Sequence, residues 1–169
     1  MINPRSRRYN ITAYTMILLA VVLWDTSLVA APYFAYVGGI YQSISDIIYF
    51  NFHFLCHQMP ERSLFIFGNK MPVCIRCAGI YFGFLIGTII YPFIRGLETR
   101  DIPHKWILII ALLPVGIDGL TQLVGLRQST NDLRVVTGMI LGVLSAFFIV
   151  PAFFQVYDEI YDILIKKFK

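Results

Sequence analysis

The chain has 169 residues, of which 57% are apolar and only 14% charged, with a mean hydropathy of +0.69. Soluble domains carry about a quarter charged residues, so this balance excludes an ordinary soluble domain and predicts an all-α integral membrane protein of one domain. The net charge of +4 is not a nucleic-acid footprint, because the charges are confined to the flanks of apolar runs.

Spans of roughly 20 apolar residues are long enough to cross the hydrocarbon layer as helices. Four are predicted, at residues 11–31, 73–94, 106–124 and 133–154. The first follows the basic cluster Arg5, Arg7 and Arg8 and partly matches a signal-peptide pattern. Its apolar run is long and interrupted by Trp24-Asp25, which favours a retained helix.

Residues 33–55 are apolar enough to be mistaken for a fifth span, but residues 40–55 within them carry a different pattern. Read as a helix, they place Gln42, Ser45, Asp46, Tyr49, His53 and Cys56 on one stripe, with Ile40, Ile44, Ile47, Ile48 and Phe52 opposite. A polar stripe on an apolar helix predicts an amphipathic segment lying at the interface. The architecture expected is therefore four transmembrane helices plus one interfacial helix.

Lysine and arginine gather on cytoplasmic flanks. Nine of the 14 basic residues fall on one side of this arrangement: Arg5, Arg7, Arg8, Arg95, Arg100, Lys105, Lys166, Lys167 and Lys169. The other five, Arg62, Lys70, Arg76, Arg127 and Arg134, fall on the opposite side. A multi-pass protein of the cell membrane with both termini cytoplasmic is expected. Gly79, Gly83 and Gly87, and likewise Gly138 and Gly142, recur every four residues. Such spacing lets helix backbones approach closely in lipid.

All three cysteines sit in one short constellation: Cys56-His57, then Cys74-Ile75-Arg76-Cys77 beyond a loop with a turn expected at Gly68-Asn69. One reading is a metal site. Cys56, His57, Cys74 and Cys77 would form a tetrahedral Cys₃His set for zinc, or three of them would leave an open position. Neighbouring Cys56 and His57 tend to diverge, which makes them an awkward pair. A second reading is thiol–disulfide exchange, because a helix start and an adjacent arginine both favour thiolate. A third is a structural disulfide with one spare thiol. An inward His57 ring would favour metal, and an outward one thiol chemistry.

The remaining polar residues converge on the same leaflet. Asp118 and Gln122 share one face of the third span, Asn131 lies in the short loop that follows, and Arg134 opens the fourth span. Glu61 and Asp118 are candidate catalytic carboxylates, Glu61 as general acid or base beside a metal-bound water. For Asp118 the bland alternative is a plain bridge to Arg76 or Arg134 that pins the bundle. Arg62, Arg76, Gln122, Arg127, Asn131 and Arg134 are candidate substrate contacts. A surplus of guanidinium favours an anionic small molecule or lipid head group. An enzyme, a binding protein and a stapled structural bundle all remain open.

Two strings carry a resemblance. Residues 56–63 (Cys-His-Gln-Met-Pro-Glu-Arg-Ser) and 72–83, together with Asp118–Gln122 and residues 127–138, resemble the signatures of a family of small predicted membrane proteins of bacteria and archaea, known only as a domain of unknown function. The resemblance implies a polytopic membrane fold and groups these residues. It implies no activity.

Overall fold

The computed structural model describes residues 4–126 and 128–167. Five α-helices account for most of them: α1 Pro4–Val37, α2 Ile40–His53, α3 Ile75–Ile94, α4 Lys105–Leu123 and α5 Asn131–Lys167. Four are long and apolar enough to cross a membrane, over Arg8–Val37, Ile75–Ile94, Lys105–Leu123 and Asn131–Leu164. The 20 residues of α3 rise about 30 Å, the thickness of the hydrocarbon layer.

The expected four spans plus one shorter helix are all present. Two spans run further than their apolar stretches. Helix α1 continues through Pro32 to Val37, and α5 continues through Pro151 to Lys167. The α5 extension is held by polar contacts at the end of the bundle away from the cysteines. There Arg100 Nε donates to Asp158 at 2.7 Å and Gln155 Nε2 donates to the Arg100 carbonyl at 2.7 Å. The Arg100 guanidinium also lies 4.7 Å from the Phe154 ring centroid.

Gly38 and Gly39, both left-handed at φ 71° and 61°, reverse the chain between α1 and α2. Helix α2 has 14 residues, about 21 Å of rise, too short to span. Only part of its expected polar stripe turns toward the protein: Gln42, Asp46 and His53 are exposed, while Phe52, expected on the opposite side, is buried. Ser45 donates to the Ala31 carbonyl at 2.8 Å, and the Tyr49 hydroxyl donates to the Lys70 carbonyl. Ile40, Ile47 and Phe50 point outward and are exposed.

The loop from Cys56 to Pro72 contains an unanticipated hairpin. Strand β1, Phe65–Ile66, pairs antiparallel with β2, Asn69–Lys70. Phe67 and Gly68 form its turn with φ 53° and 77°, the left-handed pair that two-residue hairpins favour. The turn therefore sits one residue earlier than Gly68-Asn69.

The main packing seam joins α3 to α5, and the glycines make it. A side-chain carbon at Gly79 would lie 2.8 Å from the Val135 carbonyl oxygen, and one at Gly138 would lie 2.5 Å from that of Arg76. Backbone thus meets backbone, as small residues permit in lipid. At the cysteine end Leu28, Phe52, Met71 and Val73 pack around Cys56 and Cys74. At the opposite end Ala13, Ile17, Tyr91, Val150 and Phe154 form a second cluster.

Candidate metal centre and adjoining pocket

Two helix ends, the close of α2 and the start of α3, bring the thiols together. Cys56 follows the last turn of α2 and its N–H donates to the Phe52 carbonyl at 2.9 Å. Cys74 caps α3 in extended backbone, and Cys77 lies in the first turn of that helix. All three sulfurs lie within 4.8 Å of one another, and Cys56 and Cys74 are buried. A tetrahedral metal with bonds near 2.3 Å requires sulfur–sulfur edges of about 3.8 Å. The triad can hold such an ion with little movement, and no disulfide joins its members.

The Cys74 N–H donates to Cys56 Sγ at 3.1 Å. Hydrogen bonds from the Cys74 thiol, then from Cys77, push the Cys56 thiol well below its ordinary value. The same pairing pushes Cys74 up. Of the three, Cys56 has the surroundings that best favour thiolate, because it also accepts the Cys74 N–H; a metal binding here would displace thiol protons.

His57 does not join them. Its side chain is exposed and its Nδ1 accepts the Met59 N–H at 3.3 Å, so the expected Cys₃His set is reduced to three sulfurs. The reason is local backbone geometry. Adjacent side chains diverge, and Gln58 then takes φ 49°, turning the chain away. Gln58 is held there from both sides: its Nε2 donates to the Tyr49 carbonyl at 2.8 Å, and its carbonyl accepts from Lys70 Nζ at 2.9 Å. Sequence reasoning passed over Gln58 and Lys70 as positioning residues. A lone glutamine carries no signal for a left-handed turn.

The other expected residues divide into two groups. Glu61, Arg62, Gln122, Asn131 and Arg134 line a single cavity of about 850 Å³ with Met59, Gly125, Gln128 and Ser129. Glu61 and Arg62 reach it from the short 3₁₀ turn Pro60–Arg62, and Asn131 and Arg134 from the start of α5. Arg76 and Asp118 instead form an ion pair behind this wall, between α3 and α4. Asp118 is 2% exposed, and Ser129 Oγ donates to it at 2.8 Å. Asp118 therefore ties together two helices and the cavity wall. Arg127 lies outside the described residues.

One buried acid was not singled out as a site. Asp25 on α1 is 4% exposed, and among the described residues neither of its carboxylate oxygens has a hydrogen-bond partner. It lines a second, apolar cavity of about 440 Å³ with Trp24, Tyr81 and Ser145.

Residues 56–148 match the family model described as Predicted membrane protein (DUF2085). Uncharacterized protein MJ1492 of Methanocaldococcus jannaschii is 49% identical over 159 residues, covering 92% of this chain and 97% of that protein. An uncharacterized protein of Methanothermobacter thermautotrophicus is 38% identical over 98 residues, covering 54% of this chain and 81% of its own length. No solved structure matches. With four apolar helices of spanning length and a family match over more than half its residues, the chain belongs to the DUF2085 family of predicted membrane proteins.

Proposed function

We propose that this is a multi-pass protein of the cell membrane whose three cysteines bind a soft divalent metal, zinc in the first instance. The observation that carries the reading is mutual proximity. Each of the three sulfurs lies within 4.8 Å of both others, whereas a disulfide needs only one close pair. Three thiolates leave the fourth tetrahedral position open, the arrangement of a site that admits water or a ligand. The metal would displace the protons held by Cys74 and Cys77 and would join α3 to the loop after α2.

Both termini lie in the cytoplasm in this reading, supported by the nine-to-five division of basic residues. The thiols then face the external side of the bilayer. Lipid is the partner of the exposed apolar side chains on α2 and α4, such as Ile47, Phe50 and Leu112. A reporter fused at the C-terminus should be active only as a cytoplasmic fusion; activity confined to the external side would overturn the orientation.

One observation favours a second reading. The outward His57 ring removes the fourth ligand and leaves three adjacent thiols, two of which could close a disulfide while reducing the disulfide of a substrate to two thiols. Metal content separates the two. The protein purified without chelator should carry about one zinc per chain, with its thiols unreactive until chelator is added. Cys56→Ser, Cys74→Ser and Cys77→Ser should each lower that content. A metal-free protein with thiols that react at once, or with two of them oxidised, would replace the metal reading by the redox one.

A further inference from the structure

We propose that the cavity between the 3₁₀ turn and the start of α5 is a phosphate-class oxyanion site, with Arg62 and Arg134 as its two cationic arms. This does not rest on the metal reading, because none of the cysteines lines the cavity.

Arg134 is in the wrong place for a structural arginine. It is 6% exposed, which is a costly environment for a guanidinium unless charge and hydrogen bonds compensate it. It also sits in the first turn of α5, a 37-residue helix, where the helix dipole repels a cation. Its contacts are all neutral. Nη1 donates to Asn131 Oδ1 at 2.9 Å. Nη2 donates at 2.9 Å to the Gln122 side-chain oxygen in the amide orientation that satisfies both atoms of that amide. Among the described residues, its buried Nε has no hydrogen-bond partner.

The same Gln122 oxygen accepts from Arg62 Nη2 at 3.1 Å. One neutral amide oxygen therefore holds two like-charged guanidiniums side by side. Among the described residues, neither arginine has a carboxylate within ion-pair distance; Asp118 acts on Arg134 from further off, while its direct contacts include Arg76 and Ser129. Glu61 lines the cavity too, but is exposed.

An anion entering here meets two guanidinium forks, the Asn131 amide and the positive end of α5 together. Helix N-termini and paired arginines are each suited to phosphate. Two guanidiniums that make no ion pair among the described residues match a phosphate dianion better than a single carboxylate. Its three or four oxygens can also serve both forks at once, where a carboxylate saturates one. The phosphate comes either from a soluble phosphate compound or from a lipid head group. The cavity, at about 850 Å³, has room for either.

The test uses the full chain in detergent. Inorganic phosphate, chloride at matched ionic strength, and a short-chain phosphatidic acid are each titrated while the unfolding temperature is followed. Total phosphorus per chain is measured on the protein as purified. Phosphate should raise the unfolding temperature where chloride does not, or phosphorus should already be present at about one per chain. Arg62→Gln, on the half-buried arm, should weaken phosphate binding at least ten-fold or remove the bound phosphorus. Arg134→Gln should do the same if it folds, and the exposed Arg8→Gln at the other end should change nothing. Phosphatidic acid binding at least a hundred-fold tighter than inorganic phosphate assigns the lipid source, and comparable affinities assign the soluble one. No phosphate effect and no bound phosphorus, or binding unchanged in Arg62→Gln, would overturn the proposal.

Discussion

The α3–α5 seam makes a quantitative forecast that separates stability from the site. A methyl group placed on Gly87 would lie 2.6 Å from the Val143 carbonyl oxygen and 2.7 Å from the Ala146 Cβ. Ordinary contact begins at 3.4 Å, so α3 must withdraw from α5 by the difference between 3.4 and 2.6, or 0.8 Å. Neither obstacle is the end of a flexible side chain, and a rotamer change gives no relief. Overpacking of this kind costs roughly 1–3 kcal/mol, and the dispersion contacts along the withdrawn seam weaken with it. Gly138→Ala meets the Arg76 carbonyl oxygen at 2.5 Å, an obstacle of similar size but at the first turn of α3. Both variants should unfold at lower temperature in detergent micelles, by similar amounts. Only Gly138→Ala should also lose its metal faster to a chelator, because Arg76 adjoins Cys77. Gly116→Ala, with nothing within 4 Å of the added carbon, is the control and should match or exceed the parent. If Gly87→Ala unfolds together with Gly116→Ala, the backbone-to-backbone seam is not what holds the bundle.

Removing one partner of the buried Arg76–Asp118 pair should cost about 3–5 kcal/mol. Asp118→Leu should therefore melt well below the parent, and Arg76→Met with Asp118→Leu should recover most of the loss; additive losses in the double variant would show that the two side chains do not meet. Among the described residues, Asp25 has no partner for either carboxylate oxygen, and an unsatisfied buried group costs about 1–3 kcal/mol. Asp25→Leu should accordingly raise the unfolding temperature, and a fall would mean that the carboxyl is engaged. Burial pushes the Tyr49 phenol up to about 12, above its ordinary value near 10. The folded chain thus holds that proton more tightly than the unfolded one, so its contribution is complete below about pH 10 and lost as the pH rises from there toward 12. Unfolding temperature should fall across that window, and Tyr49→Phe should flatten the fall; an unchanged slope would show that Tyr49 is not the titrating group.

Much of this architecture is legible in the residues because lipid imposes a length and a hydropathy on every crossing element. Helix α2 was separable from the spans by its polar stripe, since Ser45 and Tyr49 need partners that only the protein side offers. The meeting of Cys56 with Cys74 and Cys77 follows from thiols gathered at one helix start. The exclusion of His57 does not, because it depends on a left-handed Gln58 that no local preference announces. The hairpin at Phe65–Lys70 was hidden by its two-residue strands, too short to show alternation. Likewise the residues show that Asp118 seeks an arginine, while the pairing with Arg76 is made by the crossing of α3, α4 and α5. The ends of α1 and α5 were underestimated because helix continues past the apolar stretch where side chains such as Asp158 and Gln155 find partners.

X-ray absorption at the metal edge of the protein, purified in detergent without chelator, tests the central claim most directly. The account predicts zinc with three sulfur neighbours near ~2.3 Å and one lighter neighbour near ~2.0 Å, and a sulfur count that falls to two in Cys56→Ser. A zinc ion with no sulfur neighbours, or a metal-free chain with two of its three cysteines joined as a disulfide, would contradict it.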